Sequence, residues 1–247
     1  ALHEALFEKD LLCMYFQPIY SLKERKFVGL EALVRLNHPK YGLLLPSEFL
    51  HIAEKNGHMQ KLDQIVVRKV NEFIIEYKPY EKLGMQFICI NLSAAEFVSN
   101  RMPKKLTDYI NENITEPERI YFEVTETVAA SSKENLRDCM NEYISMGFRF
   151  ALDDFGTGYA NITQAIELPF SLIKIDQSLL TASPSILKDI LHMMETLNKI
   201  TLIEGVETKE LLDMIDQIDS GLVQGFYFAR PMDIPSLLSF LKDYNHN

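Results

Sequence analysis

The chain has 247 residues, 47% of them apolar and 24% charged, with 10 Gly and 10 Pro, which excludes a fibrous or low-complexity polypeptide. No stretch approaches the roughly 18 consecutive apolar residues that a membrane-spanning helix needs. The net charge of −10 argues against a nucleic-acid groove that neutralises phosphates with Lys and Arg, although an acidic protein can still hold a phosphate ester through an intervening cation.

In chain order, residues 1–10 carry acids and lack a basic start and an apolar core, so they are no signal peptide. The absence of an initiator Met suggests a piece of a longer chain, and residues 2–12 are helical in pattern. Short apolar runs at 14–19, 27–36, 85–91, 119–124, 148–153, 171–175, 200–204 and 221–224 predict eight strands. Helical spacing follows from Leu62 through Ile65, Val66, Val70, Phe73 and Ile74 to Tyr77, ending before Pro79. Further helices are predicted at about 101–113, 133–146, 186–198, 208–217 and 235–243. Strands alternating with helices at this length predict an α/β protein, a TIM-type (β/α)₈ barrel, with a doubly wound open sheet giving a similar pattern.

What ends each apolar run carries the chemistry. Glu31, Asn91, Glu123, the pair Asp153 and Asp154, Lys174, Glu204 and Gln224 stand at or near the C-terminal strand ends. From Asn91 onward they are 32, 30, 21, 30 and 20 residues apart, about one βα unit each. In a barrel those ends converge on one mouth. One acid at a strand end is usually just solvated, and Lys174 could merely pair with Asp176 or Glu204, but so many together need a counter-charge. All-oxygen ligands favour Mg²⁺, Mn²⁺ or Ca²⁺ over zinc. The histidines at 3, 38, 51, 58, 192 and 246 form no metal motif, and Cys13, Cys89 and Cys139 read as small core residues of a reducing compartment. Gly156 and Gly158 lie in no P-loop and mark a loop after the fifth strand.

Glu31-Ala32-Leu33-Val34-Arg35 resembles the signature of the EAL domain, a bacterial cyclic-di-GMP phosphodiesterase. Gln17-Pro18-Ile19, Asn91-Leu92-Ser93, Glu123-Val124-Thr125-Glu126, Asp153 through Tyr159, Ile173-Lys174-Ile175-Asp176, Glu204 through Thr208 and Gln224-Gly225-Phe226 stand in that family's order. The resemblance implies a (β/α)₈ barrel with one antiparallel strand, hydrolysing cyclic di-GMP to linear pGpG by a two-metal, water-attack mechanism. Under it, Glu31, Asn91, Glu123 and Asp153 are ligands of one metal and Asp153 and Asp154 bind a second, with Glu204 and Gln224 holding water at the metals. Lys174 contacts or helps generate the attacking water. Gln17 and Arg35 hold the substrate, Arg35 by a forked contact to phosphate. Glu126 anchors the loop carrying Asp153 and Asp154, and Glu207 acts similarly. Mg²⁺ or Mn²⁺ supports turnover and Ca²⁺ inhibits.

Departures from the family pattern are Ala95, Ile203 and Leu36, none of them a proposed ligand. The resemblance also makes residues 1–12 a linker helix from a preceding GGDEF or sensor domain, and 13–247 the phosphodiesterase barrel. It implies a cytoplasmic homodimer, with any membrane anchor outside this segment and no DNA or RNA partner. Two rivals remain: a receptor of the same fold that binds cyclic di-GMP without cleaving it, and a metal-dependent barrel enzyme forming enolates.

Overall fold

The computed structural model describes residues 1–93, 104–131, 133–157, 162–216 and 221–245. Among these the strands are β1 (Leu12–Ser21), β2 (Lys26–His38), β3 (Gly42–Leu44), β4 (Phe87–Asn91), β5 (Ile120–Thr125), β6 (Arg149–Phe155), β7 (Leu172–Ile175), β8 (Ile200–Ile203), β9 (Leu222–Val223) and β10 (Met232–Asp233). The helices are α1 (Leu2–Phe7), α2 (Pro46–Lys55), α3 (Met59–Tyr77), α4 (Pro79–Lys82), α5 (Lys104–Asn113), α6 (Glu126–Ser131), α7 (Lys133–Ser145), α8 (Ile162–Glu167), α9 (Gln177–Ala182), α10 (Pro184–Thr196), α11 (Lys209–Asp216) and α12 (Ile234–Asn245).

Parallel pairing runs from β2 through β4, β5, β6, β7 and β8 to β9. Strand β1 closes the ring, antiparallel to both β2 and β9. The fold is therefore a closed eight-stranded barrel with one reversed strand, and the open-sheet alternative is excluded. The eight predicted strands fall on the eight staves. Strands β3 and β10 extend the edges beside β2 and β1. Two- and three-residue strands and six-residue helices such as α6, α8 and α9 are too short to show a period in the sequence. The helix read over 2–12 is shorter: α1 ends at Phe7, and by Leu12 the chain is already strand. Its Leu2, Ala5 and Leu6 are buried where α1 packs on α2 and α3. Residues 101–103 and 217 of the predicted helices lie outside the described residues, as does Ala95.

The apolar stripe of α3 covers the sheet, and Phe73 stacks on Phe16 of β1 with ring centroids 4.2 Å apart. Lys78, left-handed at φ +48°, ends that helix before Pro79.

Because strand side chains alternate, residues two apart on a stave share a face. Gln17, Glu31, Asn91, Glu123, Asp153, Lys174, Glu204 and Gln224 thus form one inward layer at the mouth. Glu204 and Gln224 follow β8 and β9 directly, and their N–H groups continue the ladder by donating to Ile175 and Ile203 carbonyls. Two residues deeper lie Ile19, Gly29, Cys89, Tyr121, Ala151, Leu172, Leu202 and Leu222, mostly buried apolar side chains. A Cβ at Gly29 would come within 2.5 Å of the Phe87 ring, so the missing side chain makes room for that ring in the barrel. Burying a phenylalanine is worth about 1.5–3 kcal/mol, which makes the glycine a packing requirement.

Candidate active site

Lys174 is the hub of the mouth layer. Its Nζ, on a side chain 1% exposed, lies 2.8 Å from Glu123, 2.9 Å from Asp153, 3.0 Å from Glu204 and 3.7 Å from Glu31. Burial alone would lower the Lys174 pKa, but these carboxylates outweigh it and hold the ammonium above its ordinary range. One cation cannot balance them all. Burial pushes the Glu123 carboxyl well above the usual carboxylate range despite Lys174, and pushes Glu204 up to about 8. The Asp154 carboxyl is also raised, by burial and then by the charge of Asp153.

In a regular strand, Asp153 and Asp154 would point to opposite faces. The β6–β7 register shifts between Leu152 and Phe155, and Asp154 adopts φ +59°. This irregularity re-aims the second aspartate, as bulges beside functional sites do. Asp153, Asp154 and Glu204 then each offer a carboxylate oxygen, all within 4.8 Å of one another. The turn is held by the Asp154 N–H donating to Asp153 Oδ1 at 3.0 Å and by Thr157 Oγ1 donating to the Asp154 carbonyl at 3.0 Å. Residues 158–161 of the predicted loop lie outside the described residues.

The amides gather on Glu31. Gln224 Nε2 donates to one of its oxygens, and Asn91 Nδ2 donates to the other at 3.4 Å. Gln17 sits directly across from Glu31 in the β1–β2 register, its Nε2 donating to the Ala229 carbonyl at 3.1 Å. Arg35 shares the Glu31 face of β2, four residues on and about 13 Å along the strand. Its guanidinium lies 5.4 Å from the Tyr15 ring centroid and donates to the Val34 carbonyl at 2.9 Å. Glu126 opens α6 and is buried. Glu207, beyond β8, is solvent-exposed and outside the acidic ring.

Beside Glu31 and Asn91 a cavity of about 340 Å³ opens between β2 and α3, walled by apolar side chains such as Leu50, Met59 and Val66. Asp63 of α3 lines it, 4% exposed, accepting from Ser93 Oγ at 2.5 Å and Ser93 N–H at 3.3 Å. Burial raises its carboxyl to about 7. Asp63 was missed in the sequence, where it hides in a helical pattern; the signal was an acid on the apolar stripe of Met59, Leu62 and Val66.

The donor set fits a hard divalent cation. It is all oxygen, it is acid-rich, and the buried Glu123 carboxylate has no hydrogen-bond partner among the described residues beyond its ion pair with Lys174. No helix among the described residues is long and apolar enough to cross a membrane.

The sequence model of the EAL domain family matches residues 1–231. The oxygen sensor protein DosP of Escherichia coli is 29% identical across 97% of this chain and 31% of its own length. Cyclic di-GMP phosphodiesterase NbdA of Pseudomonas aeruginosa is 30% identical across 95% of this chain and 31% of its own length. The chain thus spans about a third of the curated relatives it matches. Among solved structures, the PaMucR phosphodiesterase in complex with c-di-GMP superposes with a TM-score of 0.83 at 29% identity, covering 96% of this chain and 98% of that one.

Proposed function

On the premise that this chain belongs to the EAL domain family, we propose that it hydrolyses cyclic di-GMP to the linear dinucleotide pGpG. The observation that carries the reading is the gathering of Glu31, Glu123, Asp153 and Glu204 around the single buried ammonium of Lys174, with the exposed Asp154 beside Asp153 and Glu204. The NbdA and PaMucR names support the substrate.

We assign Glu31, Asn91, Glu123 and Asp153 to one Mg²⁺ or Mn²⁺, and Asp153 and Asp154 to a second. Bound there, the cations supply positive charge that polarises the phosphoryl group, lowers the pKa of water and stabilises the leaving 3′-oxygen. The chain's own groups do the rest. Lys174, held protonated by its carboxylate neighbours, donates a hydrogen bond that orients the attacking water. Glu204 and Gln224 fix water at the rim, and Gln17 and Arg35 hold the phosphate backbone, Arg35 by its two-pronged guanidinium. The water oxygen bonds to phosphorus as the water gives up its proton, the P–O3′ bond breaks, and the 3′-oxygen takes up a proton in exchange, which leaves a 5′-phosphate on the linear product. The apolar cavity beside Glu31 is suited to a base, with the Asp63 carboxyl a polar group at its wall. Glu126 holds the loop after Asp154, and Glu207 serves the same loop from outside the ring.

Residues 1–12 link the barrel to a preceding GGDEF or sensor domain in this reading, and the domain works as a cytoplasmic homodimer. Cys13, Cys89 and Cys139 form no disulfide, in keeping with a reducing compartment. The test is to incubate the chain with cyclic di-GMP and Mg²⁺ or Mn²⁺ and chromatograph the nucleotides. The expected product is pGpG, lost on chelation and not supported by Ca²⁺. Cyclic di-GMP that binds and is recovered intact would overturn the reading in favour of a receptor.

A further inference from the structure

Beyond Ala32, strand β2 leaves the barrel wall. Its parallel pairing with β4 covers Gly29 to Ala32. From Leu33 onward its partners among the described residues are β1 and, from Leu36, the three-residue β3. This arm carries Arg35 past the acidic mouth, so whatever fixes its tip fixes where the guanidinium stands. Helix α1 reaches that tip. Seated on α2 and α3, it brings Glu4 Oε2 to 3.0 Å from Nε2 of the buried His38, 34 residues away in the chain. The other ring nitrogen of His38, Nδ1, accepts the Lys40 N–H at 3.1 Å. That network assigns the ring proton to Nε2 and makes His38 the donor to Glu4. Glu4 Oε1 accepts separately from Lys9 Nζ at 2.7 Å. Lys9, and then His38, hold the Glu4 carboxyl down at about 2, so it stays an ionised acceptor. Beside His38, the Asn37 N–H donates at 2.8 Å to the carbonyl of Leu11, the residue before β1.

We propose that Glu4 and His38 are positioning residues for the substrate: α1 straps the tip of the β2 arm and thereby holds Arg35 at the mouth. The inference rests on the reading of Arg35 as a phosphate ligand. A short hairpin that has lost its barrel neighbour is marginal support for an arm. A guanidinium carried on a wandering arm must be ordered at the moment of binding, whereas one on a strapped arm is ordered by folding. A hydrogen bond to an ionised carboxylate is among the stronger restraints available. Glu4 and His38 stand apart from the acidic ring, so the strap acts on nucleotide binding and leaves the cations and the chemical step alone.

Glu4→Ala and His38→Ala remove the strap, while Glu4→Gln and His38→Gln keep an acceptor and a donor at the same positions. For each variant, alone and combined with Arg35→Ala, kcat and KM are measured with cyclic di-GMP and Mn²⁺ affinity by titration calorimetry without nucleotide. Each alanine variant is expected to raise KM about fivefold, the scale of ordering a flexible side chain at binding, with kcat and Mn²⁺ affinity within about twofold of wild type. The glutamine variants are expected within about twofold throughout, and neither alanine variant should raise KM further once Arg35 is replaced. Wild-type KM in the alanine variants, equal losses with alanine and glutamine, or a full effect persisting beside Arg35→Ala overturns the proposal alone. A fall in kcat and Mn²⁺ affinity alongside KM marks a merely structural contact and also overturns it. An Arg35→Ala chain with unchanged KM overturns the reading of Arg35 and the proposal with it. A wild type that leaves cyclic di-GMP intact overturns the activity on which both rest.

Discussion

Replacing Asp63 by Asn probes a carboxyl that folding drives toward its neutral form. Burial raises its pKa from 3.8 to about 7, only partly opposed by the two hydrogen bonds from Ser93. The folded protein therefore keeps a proton that the unfolded chain releases, over the window between those two values. Stability from this group is complete below pH 3.8, falls as pH rises toward about 7, and is flat above it. A shift of about three units corresponds to roughly 4 kcal/mol in all, of which about 2–3 kcal/mol falls between pH 5 and pH 8. Asn mimics the neutral acid and does not titrate. Urea unfolding of wild type and Asp63→Asn at both pH values should show the variant gaining about 2–3 kcal/mol relative to wild type at the higher pH, at unchanged m-value. Parallel behaviour of the two proteins from pH 5 to pH 8 would refute a neutral buried Asp63.

Lys174→Met removes the ammonium from among Glu123, Asp153 and Glu204, and in chelator should cost about 3–5 kcal/mol by denaturant unfolding. Mn²⁺ should recover part of that loss, and an unchanged midpoint in chelator would contradict the hub role. Glu31→Ala should lower kcat by at least about tenfold, more than ~1.4 kcal/mol of transition-state stabilisation, while Arg35→Ala acts mainly on KM; the reverse pattern in steady-state kinetics would invert the two assignments. Glu126→Gln should lower activity and weaken Mn²⁺ binding at an unchanged urea midpoint, whereas wild-type affinity and kinetics would leave Glu126 as no more than a helix-opening acid. Sedimentation should find a dimer, and activity unchanged on dilution to a demonstrated monomer would sever activity from assembly.

The mouth was legible because the staves from β4 to β9 carry a polar residue at or next to their ends after an apolar run, and barrel topology gathers such ends whatever their sequence separation. The direction of β1 was not. Hydropathy carries no sense of chain direction, so nothing local to Gln17 puts it opposite Glu31; only the family resemblance supplied the reversed strand. Asp63 escaped because one acid among Met59, Leu62 and Val66 does not disturb a helical period. The irregularity at Asp153 and Asp154 was equally silent. Alternation alone puts one of the two aspartates outside the barrel, and the register shift with φ +59° at Asp154 reverses that.

Charge and packing explain why the two inner layers are built so differently. Four carboxylates around one ammonium, with Asp154 beside them, make the mouth layer unfavourable in isolation, since crowded like charges repel and the buried ones lose hydration. The apolar layer below offsets that cost by burial and holds the staves in register, down to the Phe87 ring lodged in the space left by Gly29. Cations bound by the ring would return some of the expense: at a hundredfold excess over its Kd, one such ion stabilises the fold by about 2.7 kcal/mol. Activity and stability are then linked through the same acids. A substitution at Glu31, Glu123 or Asp153 that abolishes turnover should relieve repulsion in chelator yet forfeit the stabilisation that Mn²⁺ brings. Thermal unfolding of Glu123→Gln with and without Mn²⁺ separates the two contributions. A variant stabilised by Mn²⁺ as strongly as wild type would show that Glu123 is not among the groups that hold the ion.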